Sequence, residues 1–66
     1  MNDLVDALAA LEPEHRVVVV RACCRGRSVA EVADELGVPQ EVVKVRLSRG
    51  LHALRNALQR NGVIEP

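Results

Sequence analysis

The stretch that decides the fold is residues 28–50, SVAEVADELGVPQEVVKVRLSRG. It begins with a capping box, in which the Ser28 hydroxyl accepts the N–H of Glu31 and the Glu31 carboxylate accepts the N–H of Ser28. Gly37 suits the end of the helix that follows, because it adopts a positive φ without strain. Pro39 suits the first position of a second helix, where a missing N–H costs nothing. The pattern predicts two helices joined by a short turn that contains glycine.

Apolar residues at helical spacing indicate how this pair of helices packs. They are Val32, Leu36, Val38, Val43 and Leu47. We expect Ala33 to lie where the helices cross, because its side chain is small. This layout is typical of the helix-turn-helix. The first helix is predicted over about 29–36 and the second over about 39–60, since Gly50, at a cost of about 1 kcal/mol, is tolerated within a helix.

Two further helices are predicted before this pair. One covers about 3–10, where apolar residues recur at helical spacing and Asn2 or Asp3 can act as N-cap. The other covers 13–25, between a proline at its start and Gly26 after its end. Its run of four valines also suits a buried strand, but no hairpin partner is present, so a helix is favoured.

Composition agrees with a small all-α protein. The chain has 66 residues, of which 48% are apolar, and it contains no Phe, Tyr or Trp. A core of Leu, Val and Ala suits short helices packed closely together and makes a large catalytic cleft unfavourable. We therefore expect residues 1–66 to form one compact four-helix domain with a helix-turn-helix. We expect no enzymatic activity, catalytic residue, cofactor or metal.

The two cysteines, Cys23 and Cys24, are adjacent, and neither has a partner at zinc-binding spacing. We expect them to be reduced and to pack the second helix as small hydrophobic side chains. His15 and His52 are expected at the surface without a metal. No apolar run is long enough to span a bilayer, and acidic residues stand where a signal peptide has basic ones. These features predict a cytoplasmic protein without a membrane partner.

Charge is unevenly distributed along the chain although it sums to zero. Residues 42–60 contain five basic side chains and no acidic one. DNA affinity depends on neutralised phosphates, so a locally basic helix on a neutral domain should bind DNA weakly alone and adequately when tethered.

The predicted 39–60 helix has two different faces. Its apolar stripe consists of Val43, Leu47, Gly50, Leu51, Leu54 and Leu58. Its opposite face consists of Glu41, Lys44, Val45, Ser48, Arg49, His52 and Arg55. A helix in the major groove needs hydrogen-bond donors for guanine, compact side chains that permit approach, and apolar groups for the thymine methyl group. The second face offers all three.

Four residues of that face are predicted to read bases. Arg49 or Lys44 can donate to a guanine, and Val45 can contact a thymine methyl group. Ser48 is small enough to let the helix approach the base edges.

Two further residues are predicted to contact phosphates. Arg46 lies toward the flank of the helix, where the DNA backbone runs. Ser28 and free N–H groups at the start of the 29–36 helix offer a second phosphate contact.

Several segments of the chain resemble region 4 of bacterial sigma factors, in particular those of the extracytoplasmic-function (ECF) group. They are residues 11–16 (LEPEHR), 26–28 (GRS), 29–39 (VAEVADELGVP) and 43–49 (VKVRLSR). The resemblance implies that the domain recognises the −35 promoter element in the bacterial cytoplasm, with Lys44, Val45, Ser48 and Arg49 facing the DNA. It also implies that the N-terminal helices meet the β flap of RNA polymerase core and that an anti-sigma factor covers these surfaces.

The chain departs from the family pattern at positions that bear on specificity. Val45 replaces a usual serine, and Glu41 and Val42 replace a Gly-Thr pair. Arg27 stands where an apolar residue is typical. No base preference therefore carries over from the family.

Two other functions stay open from the sequence. A response-regulator output domain of the LuxR type has a similar turn, but its signature places His after the Val-Lys pair, where this chain has Arg46. A protein-interaction module would instead use Val45 and the leucine-rich faces to bind a partner helix without DNA.

Overall fold

The computed structural model describes residues 3–62, which form four α-helices and one π-helix and contain no strand. The α-helices are α1 (Asp3–Ala9), α2 (Pro13–Val19), α3 (Val29–Leu36) and α4 (Gln40–Arg60). The π-helix (Val20–Cys24), here called the π-turn, continues directly from α2. Helix α4 packs against α1, α2 and α3. The predicted all-α fold with a helix-turn-helix, formed by α3 and α4, is confirmed.

The core between α2, α3 and α4 is built mainly from valines. Val18, Val32 and Val43 are fully buried, and Ala33 is nearly so. Partly buried residues pack against them, namely Val29, Leu36, Val38 and Leu47. Full burial of one such side chain contributes about 1.5–3 kcal/mol. The contacts predicted to fix the angle between α3 and α4 are therefore present.

The turn between α3 and α4 depends on Gly37, which has φ 67° and ψ 35°. Its N–H donates to the carbonyl of Asp34 at 3.3 Å, and the N–H of Val38 donates to the carbonyl of Ala33 at 3.1 Å. The left-handed conformation predicted for this glycine is confirmed, and it fixes where α4 begins.

The second helix differs from the single α-helix predicted over 13–25. Its α-helical part ends at Val19, and in the π-turn the N–H of Arg25 donates to the carbonyl of Val20 at 3.1 Å. The valine run is helical as predicted, and Gly26 follows with φ 69°. The π-turn escaped prediction because a wider hydrogen-bond ladder leaves the proline start and the glycine stop unchanged.

Two other helix ends differ by one residue from the predicted ones. Helix α1 ends at Ala9, where about 3–10 was expected. Pro39 is the N-cap of α4 and not its first helical residue, because its ψ of 151° is extended. The alternative N-cap Asn2 lies outside the described residues, and Asp3 is already inside α1.

The apolar stripe of α4 is only partly covered. Leu51, predicted to be buried, is 41% exposed, while Ala57 is buried. On α1, Leu4 and Val5 are also exposed although they follow the apolar spacing. A stripe is buried only where another element lies over it, and sequence spacing does not say how far that cover extends.

Candidate nucleic-acid interface

One face of α4 is turned to solvent and carries the residues predicted to read bases. Lys44, Val45, Ser48 and Arg49 are all exposed, and we call these four residues the reading face. Val45 alone among them is apolar, and 49% of it is exposed. The opposite side of α4 is anchored through the buried Val43 and Gly50. The structure therefore brings these four predicted residues together on one exposed surface.

The cations of α4 differ in how they are engaged. The ammonium of Lys44 lies 3.5 Å from the Glu41 carboxylate, one turn earlier on the same helix. Arg46 is half-buried, and its guanidinium lies 3.9 Å from the carboxylate of Glu14 in α2. Within residues 3–62, no carboxylate pairs with Arg49. Of Lys44, Arg46 and Arg49, only Arg49 can therefore contact a ligand without first breaking an ion pair within the described residues.

A groove of about 340 Å³ runs along the edge of the reading face, between α4 and the start of α2. We call it the valine groove, and its lining residues are Glu14, His15, Glu41, Val42, Val45, Arg46 and Arg49. Val42 and Val45 supply its apolar part, while cations and carboxylates stand around them. Two reading-face residues, Val45 and Arg49, thus share one concave surface.

Ser28 makes both hydrogen bonds that the sequence predicted. Its hydroxyl accepts the N–H of Glu31 at 3.1 Å, and its own N–H donates to the Glu31 carboxylate at 2.9 Å. The predicted capping box is therefore confirmed, and it uses both the hydroxyl and the N–H of Ser28. The N–H groups of Val29 and Ala30, in the first turn, precede the first bond of the α3 ladder.

The same capping box affects the charge at this helix end. The hydrogen bonds from the backbone and side chain of Ser28, with the nearby positive charge of Arg27, lower the pKa of Glu31. The Glu31 carboxylate is therefore ionised at neutral pH and places a negative charge at the N-terminus of α3. A phosphate approaching this position would meet that charge as well as the helix dipole.

The corner between the π-turn and α3 is held by ion pairs. The guanidinium of Arg21 lies 2.6 Å from one oxygen of Glu35, and that of Arg27 lies 3.3 Å from the other. Arg27 also approaches Glu31 at 3.9 Å. A cation at position 27, where the family typically has an apolar residue, is thus accommodated at the surface by two carboxylates of α3.

Sequence reasoning missed Gln40, which is exposed at the first position of α4. Residues at the N-terminus of a recognition helix are the ones that contact base edges in helix-turn-helix proteins. Gln40 and the neighbouring Glu41 therefore join the candidate base contacts. The usable signal was their position directly after the turn.

The cysteines and histidines are placed differently from one another. Cys23 and Cys24 are both exposed, so the prediction that they pack the second helix is wrong. In the π-turn the half-buried positions are instead the first three residues, Val20 to Ala22. His52 is exposed as expected, whereas His15 is half-buried, with Nε2 3.7 Å from the Glu14 carboxylate.

Residues 3–62 contain neither a metal-binding cluster nor a membrane-spanning helix. No group of three or more His, Cys, Asp or Glu side chains there is arranged to hold a metal ion. Across the same range, every helix is too short or too polar to span a membrane.

The geometry defines a helix-turn-helix domain with an exposed, cationic reading face. The sequence model of the family described as "Sigma-70, region 4" matches residues 7–56. The chain belongs to this family, and the predicted resemblance is confirmed. It is also 47% identical over 60 residues to proteins named "ECF RNA polymerase sigma factor SigL" from three strains of Mycobacterium tuberculosis. That alignment covers 91% of this chain and 34% of each relative, so the chain spans about a third of their length.

Proposed function

We propose that this chain is the −35-reading domain of a sigma factor of the ECF group and acts in transcription initiation. The observation that carries the proposal is the exposed reading face on α4, a helix held in place by the Gly37 turn and the valine core. In helix-turn-helix proteins the second helix enters the major groove with its N-terminal residues at the base edges. The sigma-factor name of the relatives supports the same function.

The contacts divide into base-reading and backbone-binding groups. Arg49 is the favoured partner for guanine because it has no competing ion pair in the described residues. Lys44, by contrast, is already paired with the Glu41 carboxylate. Ser48 allows close approach. Arg46 and the N-terminus of α3 around Ser28 are the candidate phosphate contacts.

Tethering explains how a domain with no net charge can bind DNA. If about four phosphates are neutralised, the slope of log affinity against log salt is about −3.6, which is modest. A domain carried by a larger protein on RNA polymerase gains a high effective concentration at the promoter. The larger size of the relatives is consistent with that arrangement.

A second surface is the candidate contact for RNA polymerase core. A groove of about 260 Å³ lies along α2 and the π-turn, and we call it the docking groove. Its lining residues are Arg16, Val17, Val20, Arg21 and Arg25. The groove combines exposed valine surface with arginines, a residue type that is enriched at protein–protein interfaces. We assign it to the β flap, and we expect an anti-sigma factor to compete for it or for the reading face.

Binding to purified bacterial RNA polymerase core tests this function. The tagged chain is immobilised, and retention of core is compared among wild type, Val17→Glu and Leu51→Glu. The two positions are matched, since Val17 is 37% and Leu51 41% exposed. We expect Val17→Glu to lose core and Leu51→Glu to retain it. Equal loss of core binding in both variants would mean that RNA polymerase core does not bind at the docking groove.

A promoter footprint with reconstituted polymerase is the second half of the test. Protection of a −35 element that depends on Arg49 supports the proposed function. A chain that retains neither core nor any DNA, but captures other proteins, would favour the interaction module. A DNA-bound dimer without polymerase would favour the LuxR type. We propose a binding role without catalysis, exercised where the polymerase works, in the bacterial cytoplasm.

A further inference from the structure

The valine groove offers a chemical basis for base preference that the family pattern does not supply. Val45 lies on the reading face with about half of its surface exposed, at 49%, and Val42 is half-buried beside it in the same groove. A β-branched side chain in a helix has one strongly preferred χ1 rotamer, so the methyl groups of Val45 are held in place before any ligand arrives. The reading face thus contains a preformed apolar site.

Base edges in the major groove present few groups that fit such a site. The C5-methyl group of thymine is the apolar group exposed there, whereas guanine and adenine present acceptors and an amino group. A valine can neither donate to nor accept from those polar groups, so a purine opposite Val45 would lose hydrogen bonds to water without replacement. The site therefore favours thymine and disfavours purines.

We infer that Val45, backed by Val42, selects a thymine through its methyl group. This inference rests on the proposed function. Arg49 lies four residues after Val45 and lines the same groove, so the two side chains are separated by about 6 Å along the helix axis. Because base pairs rise by about 3.4 Å each, the selected thymine lies within about two base pairs of the guanine that Arg49 contacts.

Single-methyl substitutions in DNA test the inference. The chain first selects duplexes from a randomised pool at low ionic strength, and each thymine of the preferred duplex is then replaced singly by deoxyuridine. We expect one position at which this replacement weakens binding about fourfold, the value of one buried methyl group. In Val45→Ala, binding to the thymine duplex falls and the difference between thymine and deoxyuridine at that position disappears.

A matched variant and a positional marker complete the design. Leu51→Ala shortens a similarly exposed apolar side chain of the same helix and should keep the full thymine preference. Arg49→Ala identifies the guanine that Arg49 contacts, because this variant should no longer distinguish among the bases at that one base pair. The deoxyuridine-sensitive position should lie within about two base pairs of it.

The outcomes separate the inference from the function on which it rests. If the wild-type chain selects no sequence and the polymerase complex protects no −35 element, the proposed function fails. If selection succeeds but every deoxyuridine duplex binds as well as its thymine parent, the inference that Val45 selects a thymine methyl group is wrong. The inference is also wrong if Val45→Ala still binds the deoxyuridine duplex more weakly than the thymine duplex, because another residue then contacts the methyl group.

Discussion

Gly50 in α4 and Val19 at the end of α2 meet so closely that the contact leaves no room for a side chain at position 50. A β-carbon built on Gly50 would stand 2.6 Å from Val19 Cγ2 and 3.3 Å from the carbonyl oxygen of His15. Valine has no flexible end that could move aside. This glycine sets the distance between α2 and the helix that carries the reading face.

Replacement of Gly50 by alanine should therefore destabilise the fold. We expect Gly50→Ala to lower the free energy of unfolding by about 1–3 kcal/mol, because overpacking outweighs the gain in helix propensity. Urea unfolding followed by far-UV circular dichroism measures the effect. Asn56→Ala, at an exposed position of the same helix, is the control and should unfold at the same or higher urea. Equal stability of the two variants would contradict the tight contact.

Arg49 and Arg46 should affect DNA binding in different ways. Arg49→Ala is expected to cost about 1–3 kcal/mol on the preferred duplex and little on random duplex, because it removes a base contact. Arg46→Ala should weaken both duplexes alike and lower the steepness of the salt dependence by about 1. Fluorescence anisotropy at several salt concentrations distinguishes the two. Indistinguishable profiles would argue against the division of roles.

Glu14 should restrain the DNA affinity of wild type. Its carboxylate faces Arg46 at 3.9 Å and is mostly exposed. Glu14→Gln removes a negative charge from the site of the proposed phosphate contact, so affinity for any duplex should rise by about 0.2–1 kcal/mol. Glu12→Gln is the control, because it makes the same change of net charge two residues earlier, and it should raise the affinity less. An equal gain from both variants would mean that only net charge matters.

The Glu31 capping box should make stability depend on acid pH. Because the Ser28 hydrogen bonds lower the pKa of Glu31 in the folded chain, the stabilisation is present above the unfolded value of about 4.3. It is lost as pH falls through the lower, folded value. Glu31→Gln keeps an amide oxygen for the Ser28 N–H but does not titrate.

Urea unfolding across the acid range measures this effect. We expect the stability difference between wild type and Glu31→Gln to shrink as the pH falls. Glu12→Gln is the matched control, since the Glu12 side chain makes no capping hydrogen bond at the start of α2. A Glu31→Gln difference that stays constant with pH would contradict the prediction.

Glu35 should stabilise the corner in a salt-dependent manner. It pairs with Arg21 and Arg27 together, and about a third of its side chain is exposed, at 31%. Glu35→Gln is expected to cost less than about 1 kcal/mol at low salt and nothing measurable at high salt. Asp34→Asn, an exposed neighbour on the same helix, controls for the charge. A loss that persists at high salt would point to packing and not to ion pairs.

Features that depend on neighbouring residues were predictable from the sequence. The Ser28 capping box, the positive φ of Gly37 and the start of α2 at Pro13 are set by local backbone chemistry. The exposed placement of the reading face also followed, because helical periodicity fixes which residues lie opposite the buried Val43.

Features that depend on the cover provided by other elements were not predictable. Gly50 was accepted only as a tolerated residue, although α4 approaches α2 there too closely for a side chain. The exposure of Leu51 and of Cys23 depends on where the covering helices end. The ion pair between Arg46 and Glu14 connects residues that are far apart in sequence, so no local sequence pattern predicts it.

The π-turn has a consequence for comparing sequences. A π-turn is equivalent to one residue inserted into an α-helix, and each residue of an α-helix accounts for about 100° of rotation. A relative with an uninterrupted α-helix at this place would align with a gap of one position between Val20 and Cys24. Deletion of one residue there would close the wide turn to regular α-helical geometry, and the residues that follow would keep the same faces. Alignment gaps in this segment therefore report helix geometry and should not be read as loop-length variation.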